Sequence, residues 1–320
     1  MVQIVGESVV VRKQRRAWRR VIGLLAGLVF AGIAVVLVAR QVGSEAWLWP
    51  FIIALTPWFL IPAAAGLVLA ILARSWVAFA GLTITGLLLA TQWPLLQSPA
   101  PSGPADLTVV STNLRLGKAE PDAVLRAIGN ADLVSMQELT PGLLKDLQAA
   151  GINDLFPHSF TRPAAGAAGT GMWSRYPLTD RGHLDGFIFE QLHATVAAPS
   201  GNFTFFAVHP VTPGNPRLWA GEQRLLQHAL GAGPVIVAGD FNATRDHRQF
   251  RAYTDIGFVD ASVAAGAARR RTFATTQGPL PTVAIDHVLT RGIAYAPDWV
   301  SVTDLAGSDH RALTAGFRTR

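Results

Sequence analysis

Residues 234–242 read PVIVAGDFN, an apolar run that passes straight into Gly239, Asp240 and Asn242. Such a run reads as a buried β-strand with polar residues at its end, the place where loops build a site without disturbing a core. The chain repeats the arrangement. LTVVSTN closes on Asn113, DLVSMQE on Glu138 and FTFFAVH on His209; IDHVLT carries Asp286 and His287 near its start, and ALTAGF follows Asp309 and His310. GMWS and LHATVAA complete the strands that the patterning predicts. In a layered fold, residues at corresponding strand ends converge on one rim. Between the strands, Thr140-Pro141 and Asn215-Pro216 each pair an N-cap with a first-turn proline, and the second of these helices runs to about Ala229. Gly201-Asn202 is placed at a tight turn between two strands. Asp240 and Asn242 share strand parity, which sends both side chains to one side. The bland alternative for GDFN is a turn, since Gly, Asp and Asn all form turns.

Upstream of these strands the composition changes. The 320 residues have a mean hydropathy of +0.31 with 15% charged residues, too apolar for one soluble globule. Residues 21–39 are uncharged and mostly apolar, long enough to cross a hydrocarbon core of about 30 Å. Residues 51–72 and 76–93 repeat this, with Pro57 and Pro62 available to kink the second span and Trp76 and Trp93 to mark the interfaces of the third. Three transmembrane helices are therefore expected within a 21–96 anchor, behind a basic cytoplasmic stretch, 1–20. A cleaved signal peptide is the alternative for the first span, but its apolar run is too long for one. Arg12, Lys13, Arg15, Arg16, Arg19 and Arg20 precede that span, so the N-terminus is expected in the cytoplasm and everything after Trp93 outside a multi-pass cytoplasmic-membrane anchor. QSPAPSGPAD (97–106) reads as an extended linker, leaving 107–320 as the catalytic domain.

Charge and cysteine usage exclude several function classes. Residues 1–96 carry 8 Lys and Arg against 2 Asp and Glu, and residues 97–320 carry 19 against 19, so the whole net charge of +6 belongs to the anchor. A formally neutral domain offers no global attraction for a polyanion. With no Cys there is no disulfide framework, thiolate nucleophile or Cys-ligated zinc. Any metal is held by oxygen or imidazole.

The motifs STN (111–113), MQE (136–138), WSRYPL (173–178), VHP (208–210), GDFN (239–242), IDHV (285–288) and SDHR (308–311) stand in an order that resembles the endonuclease/exonuclease/phosphatase superfamily of DNase I-like enzymes. The resemblance covers 107–317 and implies an α/β (α+β) four-layer αββα sandwich, two mixed sheets face to face with helices outside. It also implies a phosphoesterase that uses Mg²⁺ or Mn²⁺, hard cations suited to carboxylate and amide oxygens. On the matching positions Glu138 is the direct metal ligand, with Asn113 and Asp309 near the same coordination sphere. Asp240 orients or deprotonates the attacking water, and Asn242 donates to a phosphate oxygen. His310 contacts the scissile phosphate, Asp286 bonds its other nitrogen, and His209 is a phosphate contact or general acid. Glu138 read alone could instead be a carboxylate at a helix entry. Arg217, with Trp219 and Gln223, is expected to face the substrate as a further phosphate-binding candidate, with a solvated helix face as the alternative. Arg270, with Arg269 and Arg271, is a phosphate clamp or a solvated charge run. Where many members have a basic residue before the IDH motif, this chain has Val283-Ala284. His158, His183, His193, His228 and His247 receive no role.

The anchor with an outward-facing domain also resembles the actinobacterial teicoplanin-resistance membrane proteins, which implies a polyprenyl-pyrophosphate carrier lipid as substrate. A membrane lipid phosphoester or lipid-linked pyrophosphate is thus the first expectation. An extracellular nuclease comes second and an inositol-phosphate phosphatase third. From another class, an inactive module that binds envelope lipids is the alternative. No obligate protein partner is inferred.

Overall fold

The computed structural model describes residues 2–97, 103–273 and 282–320, with side chains from Lys13 onward. Residues 98–102 of the expected linker lie outside the described residues. The chain divides into two compact units, Met1–Ser44 with Leu55–Trp93, and Glu45–Ala54 with Pro94–Arg320. Four helices come first: α1 (Val2–Val42), α2 (Trp49–Ala54), α3 (Leu60–Leu72) and α4 (Val77–Thr91).

The first unit packs α1, α3 and α4 through small residues. Phe30 of α1 fills the space left by Gly81 of α4, where a Cβ would sit 2.4 Å from its ring. Ala26, Ala63 and Ala70 are fully buried, whereas Leu24, Leu28, Val38, Leu72 and Phe79 are each more than half exposed. Small residues inside and large apolar ones outside invert the pattern of a water-soluble bundle, and this suits lipid contact. The expectation of three spans needs correction. Among the described residues, only α1, over Lys13–Val42, is long and apolar enough to cross a membrane by itself. The expected 51–72 span is broken into α2, a 3-10 turn at Thr56–Phe59 and α3, and the third apolar helix is 15 residues long. Pro57 lies in that 3-10 turn and has no N–H to continue an α-helical ladder.

The second unit contains two six-stranded sheets. Its strands are β1 (Leu107–Asn113), β2 (Leu133–Gln137), β3 (His158–Arg162), β4 (Thr170–Ser174), β5 (Leu178–His183), β6 (Leu192–Ala198), β7 (Gly201–Val208), β8 (Val235–Asp240), β9 (Val259–Asp260), β10 (Asp286–Arg291), β11 (Tyr295–Asp304) and β12 (Arg311–Thr319). One sheet has the order β11-β12-β1-β2-β4-β3 and the other β5-β6-β7-β8-β10-β9. Both are mixed, with β1 parallel to β2 and β7 parallel to β8 among antiparallel neighbours. Helices α5 (Pro121–Ile128), α6 (Pro141–Ala149) and α7 (Ile152–Leu155) accompany the first sheet; α8 (Pro216–Ala229), α9 (Arg248–Asp255) and α10 (Ala261–Ala264) follow β7 and β8 in the chain.

Alternation along the strands produces the layers. In β8, Ile236 and Ala238 enter a core that also holds Val109, Leu133, Phe205 and Leu313 from both sheets, while Val235 and Val237 join an outer core with Trp219 and Leu226 of α8. Val110 and Val134 likewise pack outward with Val124, Leu143 and Leu147 of α5 and α6. The result is the expected helix–sheet–sheet–helix stack. Thr140 caps α6 through the Leu143 N–H at 3.2 Å and Asn215 caps α8 through the Leu218 N–H at 3.3 Å. The expected Gly201-Asn202 turn is displaced. Ala198 pairs with Gly201, so Pro199-Ser200 makes the turn and Gly201 opens β7 at φ +117°.

The short segment bearing α2 is built into this second unit. Its Glu45 carboxylate meets Nη1 of Arg224 on α8 at 2.8 Å, and the Pro50 carbonyl lies 2.7 Å from Nε2 of buried His247. Nδ1 of His247 accepts the Thr244 N–H at 2.9 Å, which leaves the ring proton on Nε2 to bond Pro50. Burial holds this imidazole neutral by lowering its pKa from 6.5 to about 4. A lowered folded-state value means that the unfolded chain binds the extra proton first. The contribution is therefore complete above pH 6.5 and is lost as pH falls toward 4, at up to about 1.4 kcal/mol per pH unit. Thermal unfolding of His247→Gln should accordingly lose less stability than wild type across that window. An unchanged pH slope would reject the assignment.

Candidate active site

Strand ends of both sheets supply the site. Asp240 ends β8, Asp286 begins β10, and His310 precedes β12. Gly239 makes the Asp240 position possible, because a Cβ there would meet the Val208 carbonyl oxygen at 2.0 Å and force β7 and β8 apart. His310 is nearly fully buried, with Nδ1 2.9 Å from Asp286 Oδ2 and Nε2 3.7 Å from Asp240 Oδ2. Burial acts against charge on this imidazole, but the carboxylates of Asp286 and Asp240 outweigh it and raise His310 to about 9. Burial pushes the Asp240 carboxyl up to about 7, with His310 opposing and Asp286 adding to the rise. The three side chains form a line in which the imidazole carries the proton between two acids.

Beside this line stand Asn113, Glu138 and His209. Nδ2 of Asn113 donates to Glu138 Oε1 at 3.2 Å and to Asp240 Oδ2 at 3.0 Å. His209 Nε2 lies 4.0 Å and 3.7 Å from the same two oxygens. Desolvation, followed by repulsion from His310, lowers His209 to about 3, so it is neutral and presents a dipole where a cation could have stood. Glu138 lies just beyond β2 at φ +60°, Asn242 at +48°, and Arg115 and Leu116, after Asn113, at +48° and +54°. Left-handed backbone in residues other than Gly costs on the order of 1–3 kcal/mol each and gathers at functional sites. Part of the compensation is local: the Leu116 N–H donates to Glu138 Oε2 at 2.5 Å, and the Leu139 N–H to the Gly169 carbonyl at 3.0 Å.

The donor chemistry suits a hard divalent cation. Two carboxylates and an amide converge beside a neutral imidazole, and the donors available are oxygens and ring nitrogens. Asp240, Asp286 and His310 also place ligand atoms within 4.8 Å of one another. Nδ1 of His310 is already committed to Asp286 there, so we read that trio as a hydrogen-bonded line and place the cation candidate at Glu138 and Asn113. Asp309 stands further out, partly exposed and 3.9 Å from Arg115 Nε.

Other sequence expectations are revised. Asn242 has left the strand, so parity does not orient it; its N–H donates to Asp240 Oδ1 at 2.8 Å and its Nδ2 to the Pro210 carbonyl at 3.0 Å. Trp219 and Gln223 do not face a substrate. They are buried and hold the Asn242 and Phe241 carbonyls, at 3.1 and 2.7 Å. Arg217 is exposed in the first turn of α8. Arg269 is exposed, Arg270 is half-buried, and Arg271 donates to the Thr282 carbonyl at 2.6 Å, so the three differ in exposure and in partners.

Groups outside the predicted set position these side chains. Thr272 Oγ1 accepts the Ile285 and Asp286 N–H groups at 3.2 Å each, fixing the start of β10. Ser308 donates to the Asn113 carbonyl at 2.8 Å and accepts the His310 N–H at 3.0 Å, tying two motifs together. Gln191 grips the backbone on both sides of His209, and buried Glu222 accepts the Ile188 and Val211 N–H groups. Ser308 lay within a quoted motif. The others bond across separations that no local pattern reports.

The family model described as Endonuclease/Exonuclease/phosphatase family matches residues 110–310. No curated protein matches the chain. Among solved structures, humanized D. rerio TDP2 superposes with a TM-score of 0.55 at 18% identity, covering 67% of this chain and 99% of that one. A mannosyl-6-phosphatase from Bacteroides thetaiotaomicron gives 0.51 at 19%, covering 66% and 99%. A 3'-5' exonuclease from Neisseria meningitidis gives 0.50 at 16%, covering 66% and 100%. At these identities the likeness is one of fold.

Proposed function

The chain belongs to the Endonuclease/Exonuclease/phosphatase family, and from that premise we propose that it is a membrane-anchored, extracytoplasmic phosphoesterase acting on a lipid phosphoester or polyprenyl pyrophosphate. The observation that carries the chemistry is the buried line Asp286–His310–Asp240 with Glu138 and Asn113 alongside. Asp240, raised toward neutrality, accepts the proton of the attacking water. His310, kept protonated by its two acids, donates from Nε2 to a phosphoryl oxygen as charge develops there. Asp286 holds the ring's orientation through Nδ1. Neutral His209 offers one hydrogen bond and no charge, a narrower role than that of a cationic clamp. Asn242 has a second amide hydrogen beyond the one given to Pro210. Glu138 and Asn113, with Asp309 at the edge, would hold Mg²⁺ or Mn²⁺, which when bound neutralises charge on phosphoryl oxygens.

The substrate assignment draws on three features. α1 is long and apolar enough to anchor the chain, and one crossing from a basic cytoplasmic N-terminus would put the domain outside. The dozen or so residues after the last apolar helix, at roughly 3.1 Å each when extended, keep the site within a few tens of Å of the bilayer. A substrate confined to that surface is concentrated by the tether. The balance of 19 basic and 19 acidic residues in 97–320 leaves a polyanion only local contacts. This reading is the one that the resemblance to the teicoplanin-resistance membrane proteins implies.

Full-length protein in micelles with Mg²⁺ should hydrolyse bis-p-nitrophenyl phosphate, and should turn over a polyprenyl pyrophosphate with higher kcat/KM than single-stranded DNA at equal ionic strength. A clear advantage for DNA promotes the extracellular nuclease. Inertness toward every phosphoester leaves a lipid-binding module. A reporter that works only in the cytoplasm, fused after Arg320, should stay silent; activity there would reject the topology.

A further inference from the structure

We propose that the outer face of α8, together with the α2 segment and the loop before β6, is a bilayer-contacting surface that seats the active-site mouth at the lipid headgroups. The proposal rests on the phosphoesterase reading above and names how that site meets its substrate. Leu218 and Leu225, seven residues apart on α8, share one outward stripe, and each is 39% exposed. Gly221 lies between them with no atom within 4 Å of a Cβ built there. The loop before β6 joins the stripe: a Cβ on Gly186 would lie 3.1 Å from Leu225, and the Ile188 N–H bonds Glu222 of α8 at 2.9 Å, leaving Ile188 59% exposed. On the other side the α2 segment is fastened by Glu45 to Arg224 and by Pro50 to His247, with Trp47 75% exposed and Phe51 47% exposed.

Chain continuity identifies the occupant. Glu45 follows Val42, the last residue of the membrane-length helix, by three residues, at most about 10 Å of chain. A bilayer that holds α1 therefore holds the Glu45–Arg224 contact within that reach of its surface. The side chains displayed there are of interfacial type, an exposed Trp and Phe with Leu and Ile, flanked by Arg217 and Arg224. Beneath the stripe, the buried face of α8 holds the Asn242 and Phe241 carbonyls, so only one helix diameter, about 10 Å, separates the apolar surface from the GDFN loop. The substrate class this geometry serves is a lipid whose phosphate lies at the headgroup level and enters along the membrane plane.

The absence of cysteine allows a direct test. Nitroxide labels on Ile188→Cys and Leu225→Cys in full-length protein, reconstituted into phosphatidylcholine–phosphatidylglycerol liposomes, should collide more readily with oxygen than with a water-soluble nickel chelate. A label on Lys145→Cys, on α6 of the other sheet, should behave as in water. Water-like collisions at 188 and 225 would overturn the proposal, as would spin–spin broadening there without oxygen preference, the signature of a second copy on this face. The double substitution Ile188→Glu/Leu225→Glu should lower turnover of liposomal polyprenyl pyrophosphate at least tenfold and leave soluble bis-p-nitrophenyl phosphate unaffected. Equal loss on both substrates would also overturn it. If wild type hydrolyses neither substrate, the enzymatic reading fails, while the labels still decide the docking.

Discussion

Asp240→Asn should lower kcat by a factor on the order of 10² or more with little change in stability, because it removes a base and leaves shape and size almost intact. Asp240 lies within hydrogen-bond or near-contact distance of Asn113, His209 and His310 at once. Its loss separates the cation-holding half of the site from the imidazole half. His310→Ala should cost a similar factor, since it deletes the donor aimed at developing phosphoryl charge. Asp286→Asn should cost less, as its bond to Nδ1 orients a ring that keeps its other contacts. Single-turnover rates on bis-p-nitrophenyl phosphate rank the three. A greater loss for Asp286→Asn than for His310→Ala would mean that the imidazole's charge, sustained by Asp286, outweighs its position.

Much of the fold is legible in the sequence, for a physical reason. Buried strands must be apolar, so a polar residue closing one stands out, and Asn113, Glu138, His209 and Asp240 are candidates for that reason. The layer order followed from the motif resemblance and matches the alternation within β8, where Ile236 and Ala238 face one core and Val235 and Val237 another. The illegible parts depended on long-range pairing. β3, β5 and β11 carry many half-exposed residues and present no closed apolar run. Trp219 and Gln223 read as substrate-facing because the helical period does not say which stripe meets the core. The docking of His247 on Pro50 joins residues 197 apart and leaves no trace in either neighbourhood. Apolar length alone predicts an unbroken 51–72 span, because composition does not register the 3-10 break at Thr56–Phe59.

Glu138→Gln should remove most hydrolysis and most divalent-cation affinity together, and EDTA should reproduce the loss in wild type. Glu138 occupies a left-handed backbone conformation, at φ +60°, immediately after a strand whose residues are all buried. Such a conformation persists only where the surroundings over-determine it, and here they include the Leu116 N–H on one carboxylate oxygen and Asn113 on the other. Gln can keep one of those bonds but presents an amide nitrogen where the second oxygen stood, so the backbone geometry survives while the charge facing Asp240 goes. A structural role alone would show as lower thermal stability with Mn²⁺ binding intact. A ligand role shows as weaker Mn²⁺ binding by electron paramagnetic resonance with the unfolding temperature nearly unchanged in metal-free buffer. The second pattern is expected, with kcat/KM reduced on the order of 10² or more, about 2.7 kcal/mol of transition-state stabilisation. Wild-type Mn²⁺ affinity in Glu138→Gln would move the cation to the trio Asp240, Asp286 and His310, whose ligand atoms are close enough to take it.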